Sequence, residues 1–87
     1  MHESGLIADL LEKIQAVAAD NSASKVTAVE VSIGALAAIG EEHFREHFVI
    51  ETAGTVADGA ELRVRISDDL LSPDSRSVML QSVELEK

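Results

Sequence analysis

A chain of 87 residues is long enough for one small domain, which buries roughly 60% of the surface that its unfolded chain exposes. The formal net charge of −9 repels phosphate backbones and no basic stripe offsets it, so we expect no nucleic-acid binding. Cysteine is absent, which excludes disulfides, thiolate zinc sites and cysteine nucleophiles. The sequence contains neither an 18-residue apolar run nor a secretory signal, and we expect a cytoplasmic protein without a membrane span.

The first three residues, Met1, His2 and Glu3, can chelate a metal ion before any fold exists. The terminal amine, the His2 amide nitrogen and the His2 imidazole can close fused rings around one square-planar ion. The Glu3 amide or carboxylate is available as a fourth donor. This nitrogen-rich geometry suits Ni(II) and Cu(II). Any chain with a histidine at its second position has the same chemistry, so the tripeptide alone also fits a chance histidine.

An amphipathic helix is predicted next. Four apolar residues recur at helical spacing: Leu6, Leu10, Ile14 and Val17. Ser4 is the expected N-cap, and Asn21 with Ser22 is the expected end of the helix.

The period then changes to two, which predicts a strand with Val29, Val31 and Ile33 facing inward and Ala28 facing outward. Residues 40–42, a glycine followed by two glutamates, predict the start of a second helix.

The second helix is expected to point Phe44 and Phe48 inward and to end at Gly54. A second strand follows residues 58–59, with three residues expected to face inward: Leu62, Val64 and Ile66. A polar loop over 68–77 leads to a last strand over 78–86.

The order αβαββ predicts an α+β fold with two helices packed on a three-stranded mixed sheet. A strand, helix, strand unit implies that the first two strands are parallel. The last strand can either form a hairpin with the second or lie on the other side of the first, and the pattern does not decide between them.

Two further features have open interpretations. His43 and His47 are four residues apart on one helix face, a spacing that can chelate a divalent ion with Glu46 nearby, or that is simply a solvated flank. Leu70 and Leu71 can form an exposed docking patch or fold back over the open end of the sheet, and we expect the second.

No catalytic arrangement stands out in the sequence. The serines near Pro73 are typical of turn chemistry. We find no nucleophile–base pair, phosphate loop or paired carboxylates, and we expect no enzymatic activity.

The start Met1-His2-Glu3 resembles the hydrogenase-maturation nickel chaperone family (HypA/HybF). Residues 29–36 (VEVSIGAL) are similar to that family's strand ending in Ile-Gly-Glu-Leu, and residues 48–55 with 59–62 are similar to its "F…T.GT…GA.L" stretch. Residues 80–86 (LQSVELE) resemble its closing "KSIEVE" strand. The resemblance is collinear over the chain. It implies a single nickel-binding domain over 1–87, with Ni(II) held by Met1, His2 and Glu3.

The sequence departs from the family at three places. Family members usually carry a zinc module with two Cys-x-x-Cys pairs between the last two strands, where this chain has only residues 71–77 of its 68–77 loop. No zinc is therefore expected. Ser4 replaces a large apolar residue, and His43 and His47 replace small or apolar ones.

The resemblance also implies a role and partners. A chaperone of this family delivers nickel to the [NiFe]-hydrogenase large-subunit precursor together with a maturation GTPase, and in some bacteria to the urease pathway. The alternative is a metal-free interaction, scaffold or regulatory module that retains the family fold.

Overall fold

The structure is a computed structural model that describes residues 3–87. Its elements follow the predicted order αβαββ. They are α1 (Glu3–Asp20), β1 (Lys25–Ile33), α2 (Glu41–Thr52), β2 (Glu61–Ile66) and β3 (Val78–Glu86). The prediction of two helices with a three-stranded mixed sheet is confirmed.

The three strands lie in the order β2-β1-β3. β1 is parallel to β2, with Ile33 opposite Ile66, and antiparallel to β3, with Ile33 opposite Val78. The question that the sequence left open is thus answered, since β3 lies beside β1 and forms no hairpin with β2. This order covers both edges of β1, the strand with the most buried apolar side chains, and leaves the two more polar strands at the edges.

One apolar core joins the helices and the sheet. α1 and α2 pack on each other, α1 also contacts β3, and α2 contacts β2. Phe44 and Phe48 are buried as predicted, with stacked rings whose centroids are 6.2 Å apart. The core consists of eleven buried residues: Ile7, Leu10, Ile14, Ala18, Val26, Val29, Val31, Ile33, Phe44, Phe48 and Ala57.

The start of α1 differs from the prediction, whereas its end agrees with it. The predicted N-cap at Ser4 is wrong, because the helix already begins at Glu3, an acid that favours the first turn through the helix dipole. The predicted end is confirmed. Ser22 takes a left-handed conformation (φ 54°) and donates from its N–H to the Ala19 carbonyl, while the Ala23 N–H donates to the Ala18 carbonyl. These two bonds satisfy carbonyls that the helix leaves open.

Ala28 is buried although the alternation predicts that it faces outward. The pairing of β1 with β3 shifts register between Val26 and Ala28, and Ala28 does not belong to the core cluster. The cross-strand neighbours of Ala28 are Glu61 and Glu84, and both accept hydrogen bonds from Arg63. The guanidinium therefore bridges the two edge strands across β1 on the face of the sheet that carries Ala28 and these two glutamates.

Two further predictions are wrong, one for the last residue of β2 and one for the loop between β2 and β3. Ile66 is 54% exposed, because it closes an edge strand beyond the reach of the helices. Leu70 and Leu71 do not fold back over the sheet, since Leu71 is 94% exposed. The end of the sheet is covered instead by backbone from 74–77, where the Ser75 carbonyl accepts from the Leu36 N–H and the Ser77 carbonyl from the Gly34 N–H.

Neither described helix has the length and apolarity needed to cross a bilayer.

Candidate metal centre

The topology places the amino-terminal ends of both helices at one end of the molecule. α1 packs on the sheet and reaches β1 through residues 21–24 alone, so it runs opposite to β1. α2 connects two parallel strands and must also run opposite to them. The two helix starts, Glu3 and Glu41, therefore lie at the end of the sheet where β1 finishes.

Only one of the three predicted ligands can be located, and it lies at this end. Met1 and His2 lie outside the described residues, and Glu3 is described as the first residue of α1. The first four N–H groups of a helix have no carbonyl partner within the helix. The Glu3 amide nitrogen is one of these, so using it as a metal donor breaks no helical hydrogen bond.

The first turn of α2 is acidic and firmly attached to the sheet. Gly40 precedes it in an extended conformation without a side-chain cap, and Glu41 and Glu42 form its first turn, as predicted. Arg45 donates from Nε to the Glu41 carboxylate at 2.9 Å and from Nη1 to the Leu62 carbonyl at 2.8 Å. This second bond ties the helix to the edge strand β2.

His43 and His47 lie on one flank of α2, beside its buried phenylalanines. Their ring centroids are 6.3 Å apart and the rings meet edge to face at 72°. His43 is exposed and His47 half-buried. The structure brings the pair together as the spacing predicts, but within residues 3–87 no three histidine, aspartate or glutamate side chains converge as a metal site.

The sheet carries the clearest electrostatic perturbation. Hydrogen bonds to Glu61 and Glu84, reinforced by their charges, raise the pKa of the Arg63 guanidinium above its ordinary value. Because this exposed guanidinium stays protonated and bridges β2 and β3, it holds the two edge strands together and is unsuited to proton transfer.

A cleft of about 250 Å³ beside α1 was not predicted. Leu6, Leu10 and Val78 supply its apolar lining, and Asp9, Lys13 and Arg76 its charged lining. The sequence offered only a weak sign of this cleft, namely two basic residues, Lys13 and Arg76, in a strongly acidic chain. Whether these two residues line one cleft depends on the position of β3, which the sequence did not decide.

The comparison with known families decides the assignment. Residues 1–71 match the family described as "Hydrogenase/urease nickel incorporation, metallochaperone, hypA". The chain belongs to the HypA family. The predicted resemblance is thus confirmed, and the match begins at residue 1, so it includes the Met-His-Glu tripeptide. The HypA family is one of metallochaperones.

Curated relatives support the same family. The chain is 41% identical over 64 residues to the hydrogenase maturation factor HybF of Escherichia coli and 36% identical over 64 residues to the hydrogenase maturation factor HypA of Chlorobium limicola. Both matches cover 74% of this chain. The chain spans only 57% and 55% of the length of these two relatives.

A solved structure confirms the HypA fold. The solution structure of the nickel metallochaperone HypA from Helicobacter pylori superposes with a TM-score of 0.83, covering 99% of this chain and 98% of that one. The sequence identity is 19%, so the likeness is one of fold.

Proposed function

We propose that this HypA-family chain carries Ni(II) for the maturation of [NiFe]-hydrogenase and holds the ion at the Met1 amine, His2 and Glu3. The observation that carries the proposal is the family match from residue 1, which includes the tripeptide. The start of α1 at Glu3 is compatible with it, because the first backbone nitrogens of a helix are available as donors.

The proposal also covers the partners of the chain, its location, and the absence of catalysis and of zinc. The nickel is passed to a hydrogenase large-subunit precursor with the help of a maturation GTPase, in the cytoplasm and without catalysis by this chain. Residues 1–87 act as one nickel-binding domain. No zinc is required, since the sequence has no cysteine to supply a thiolate site.

A Ni(II) titration with the native amino terminus tests the site. Square-planar Ni(II) is yellow and diamagnetic, so visible absorption separates it from a weak octahedral surface complex. His2→Ala should abolish the yellow complex, and so should acetylation of the Met1 amine. The Met1 amine must be free, which mass spectrometry of the purified chain checks.

A matched control is His43→Gln, which removes a histidine elsewhere and should leave the yellow complex unchanged. If His2→Ala or the acetylated chain still forms that complex with unchanged affinity and spectrum, the tripeptide is not the site.

The alternative function is a metal-free interaction or regulatory module, and the exposed Leu70 and Leu71 favour it. Such a module keeps its protein partners after His2→Ala but loses them after substitution of the two leucines by serine. Pull-down of the maturation GTPase with each variant distinguishes this function from nickel transport.

A further inference from the structure

The histidine pair of α2 has the geometry of a two-ligand chelate. Residues four apart on a helix have neighbouring side chains, with about 5–6 Å between their Cβ atoms. The ring centroids of His43 and His47 are 6.3 Å apart, and rotation about the side-chain bonds can turn one nitrogen of each ring toward a shared ion. Metal–nitrogen bonds are about 2.0–2.1 Å long, so both rings can reach an ion placed between them.

The backbone under the pair is held in place by the core. Phe44 and Phe48 each follow one of the histidines by one residue and are completely or almost completely buried. The hydrogen bond from Arg45 to the Leu62 carbonyl attaches the same two turns to β2. An ion that binds here therefore orders two side chains without having to order the helix, which lowers the entropic cost of binding.

The charge around the pair favours a cation. α2 contains four glutamates and one arginine. Glu41 is already bound to Arg45, whereas Glu42 and Glu46 are exposed next to the two histidines. In a chain with a net charge of −9 these carboxylates raise the local concentration of divalent ions and can accept hydrogen bonds from metal-bound water.

We propose that His43 and His47 form a second, exchangeable site for a late first-row divalent cation, separate from the amino-terminal tripeptide. Imidazole nitrogen suits Ni(II), Cu(II) and Zn(II), and two protein ligands leave the other coordination positions to water. Both residues already have interactions in the structure, and two imidazole ligands alone hold an ion weakly enough to exchange. Since the pair lies in the first two turns of α2, this site is at the same end of the molecule as the start of α1.

The test is the Ni(II) stoichiometry of four full-length chains with native termini. They are the wild type, His2→Ala, the double variant His43→Gln/His47→Gln, and the chain with all three substitutions. Calorimetry should give two, one, one and no bound ions, respectively. Circular dichroism should be the same for all four, since glutamine keeps the helix and the polar surface.

A second readout locates the ion. Substoichiometric Cu(II) added to His2→Ala should broaden the imidazole proton signals of His43 and His47 before other signals in the NMR spectrum. The double glutamine variant should lose the weaker binding step and keep the yellow square-planar complex of the tripeptide.

Two results would overturn the second site. One is a double glutamine variant that keeps the wild-type stoichiometry and both binding steps. The other is a wild type that binds a single ion lost equally in His2→Ala and in the double variant, because then all the histidines serve one site. Retention of the yellow complex in His2→Ala contradicts only the proposed tripeptide site and leaves the histidine pair to be judged by its own variants.

Discussion

Gly34 and Ser75 approach each other so closely that no side chain fits between them. A Cβ atom added to Gly34 would lie within 3.0 Å of the carbonyl oxygen of Ser75 and of that of Asp74. Next to this contact, the Gly34 N–H donates to the Ser77 carbonyl at 2.8 Å. The end of β1 and the loop before β3 are thus held together by backbone atoms alone.

Gly34→Ala should therefore destabilise the fold. The added methyl group meets rigid backbone and cannot be accommodated by a change of rotamer, so we expect a loss of about 1–3 kcal/mol in the free energy of unfolding. Urea denaturation followed by circular dichroism measures it.

Gly5→Ala is the matched control for that substitution. Gly5 lies inside α1 with nothing within 4 Å of an added Cβ, so the same change should stabilise the chain by about 0.5–1 kcal/mol. A Gly34→Ala chain that is as stable as Gly5→Ala would show that the loop moves freely away from β1.

The loop leucines give a second prediction. Leu71 is 94% exposed, so Leu71→Ser should change the free energy of unfolding by less than about 0.5 kcal/mol. Ile14→Ala, at a fully buried position of α1, should cost about 2–5 kcal/mol in the same urea assay. A large loss for Leu71→Ser would mean that this side chain is covered in solution, as the sequence had suggested.

The sequence was most informative where the pattern has a single physical reading. The alternation of Val29, Val31 and Ile33 and the spacing of Phe44 and Phe48 each identify one buried face, and the structure confirms both. Wrong predictions occurred where burial depends on a distant element. Ile66 alternates correctly but closes an edge strand, and Ala28 is buried between the two strands that pair with β1.

The metal site has a different basis and stays a prediction. Donor groups adjacent along the chain need no fold to meet, so the tripeptide was identified without knowledge of the topology. That both helix starts lie at one end follows from the short 21–24 connection and from the parallel pairing of β1 with β2. The cleft between α1 and β3 could not be predicted, because it depends on the position of β3 in the strand order.

Nickel binding at the tripeptide should depend steeply on pH. A free α-amino group titrates near about 7.7–8.0 and an imidazole near about 6.5, and both must lose a proton before they bind. The Ni(II) affinity should therefore fall as the pH decreases from about 8 to 6 and should recover when the pH is raised again. The double variant His43→Gln/His47→Gln is the chain to titrate, because it isolates the tripeptide. A flat affinity profile over this range would indicate carboxylate ligands.

Nickel delivery in cells is the prediction that separates a chaperone from a scaffold. A chaperone must release its ion, so a site with few anchors should bind no more tightly than about micromolar, or about −8 kcal/mol, and should exchange nickel with a competing acceptor. Cu(II) binds such donor sets more tightly than Ni(II), so selectivity has to come from metal supply and from the partner.

In cells without another HypA-family protein and with nickel limiting, His2→Ala should lower both the nickel content and the activity of the client hydrogenase. Added nickel should restore both. Full hydrogenase activity with His2→Ala under nickel limitation would rule out the chaperone function and leave the scaffold, whose partners do not depend on the metal.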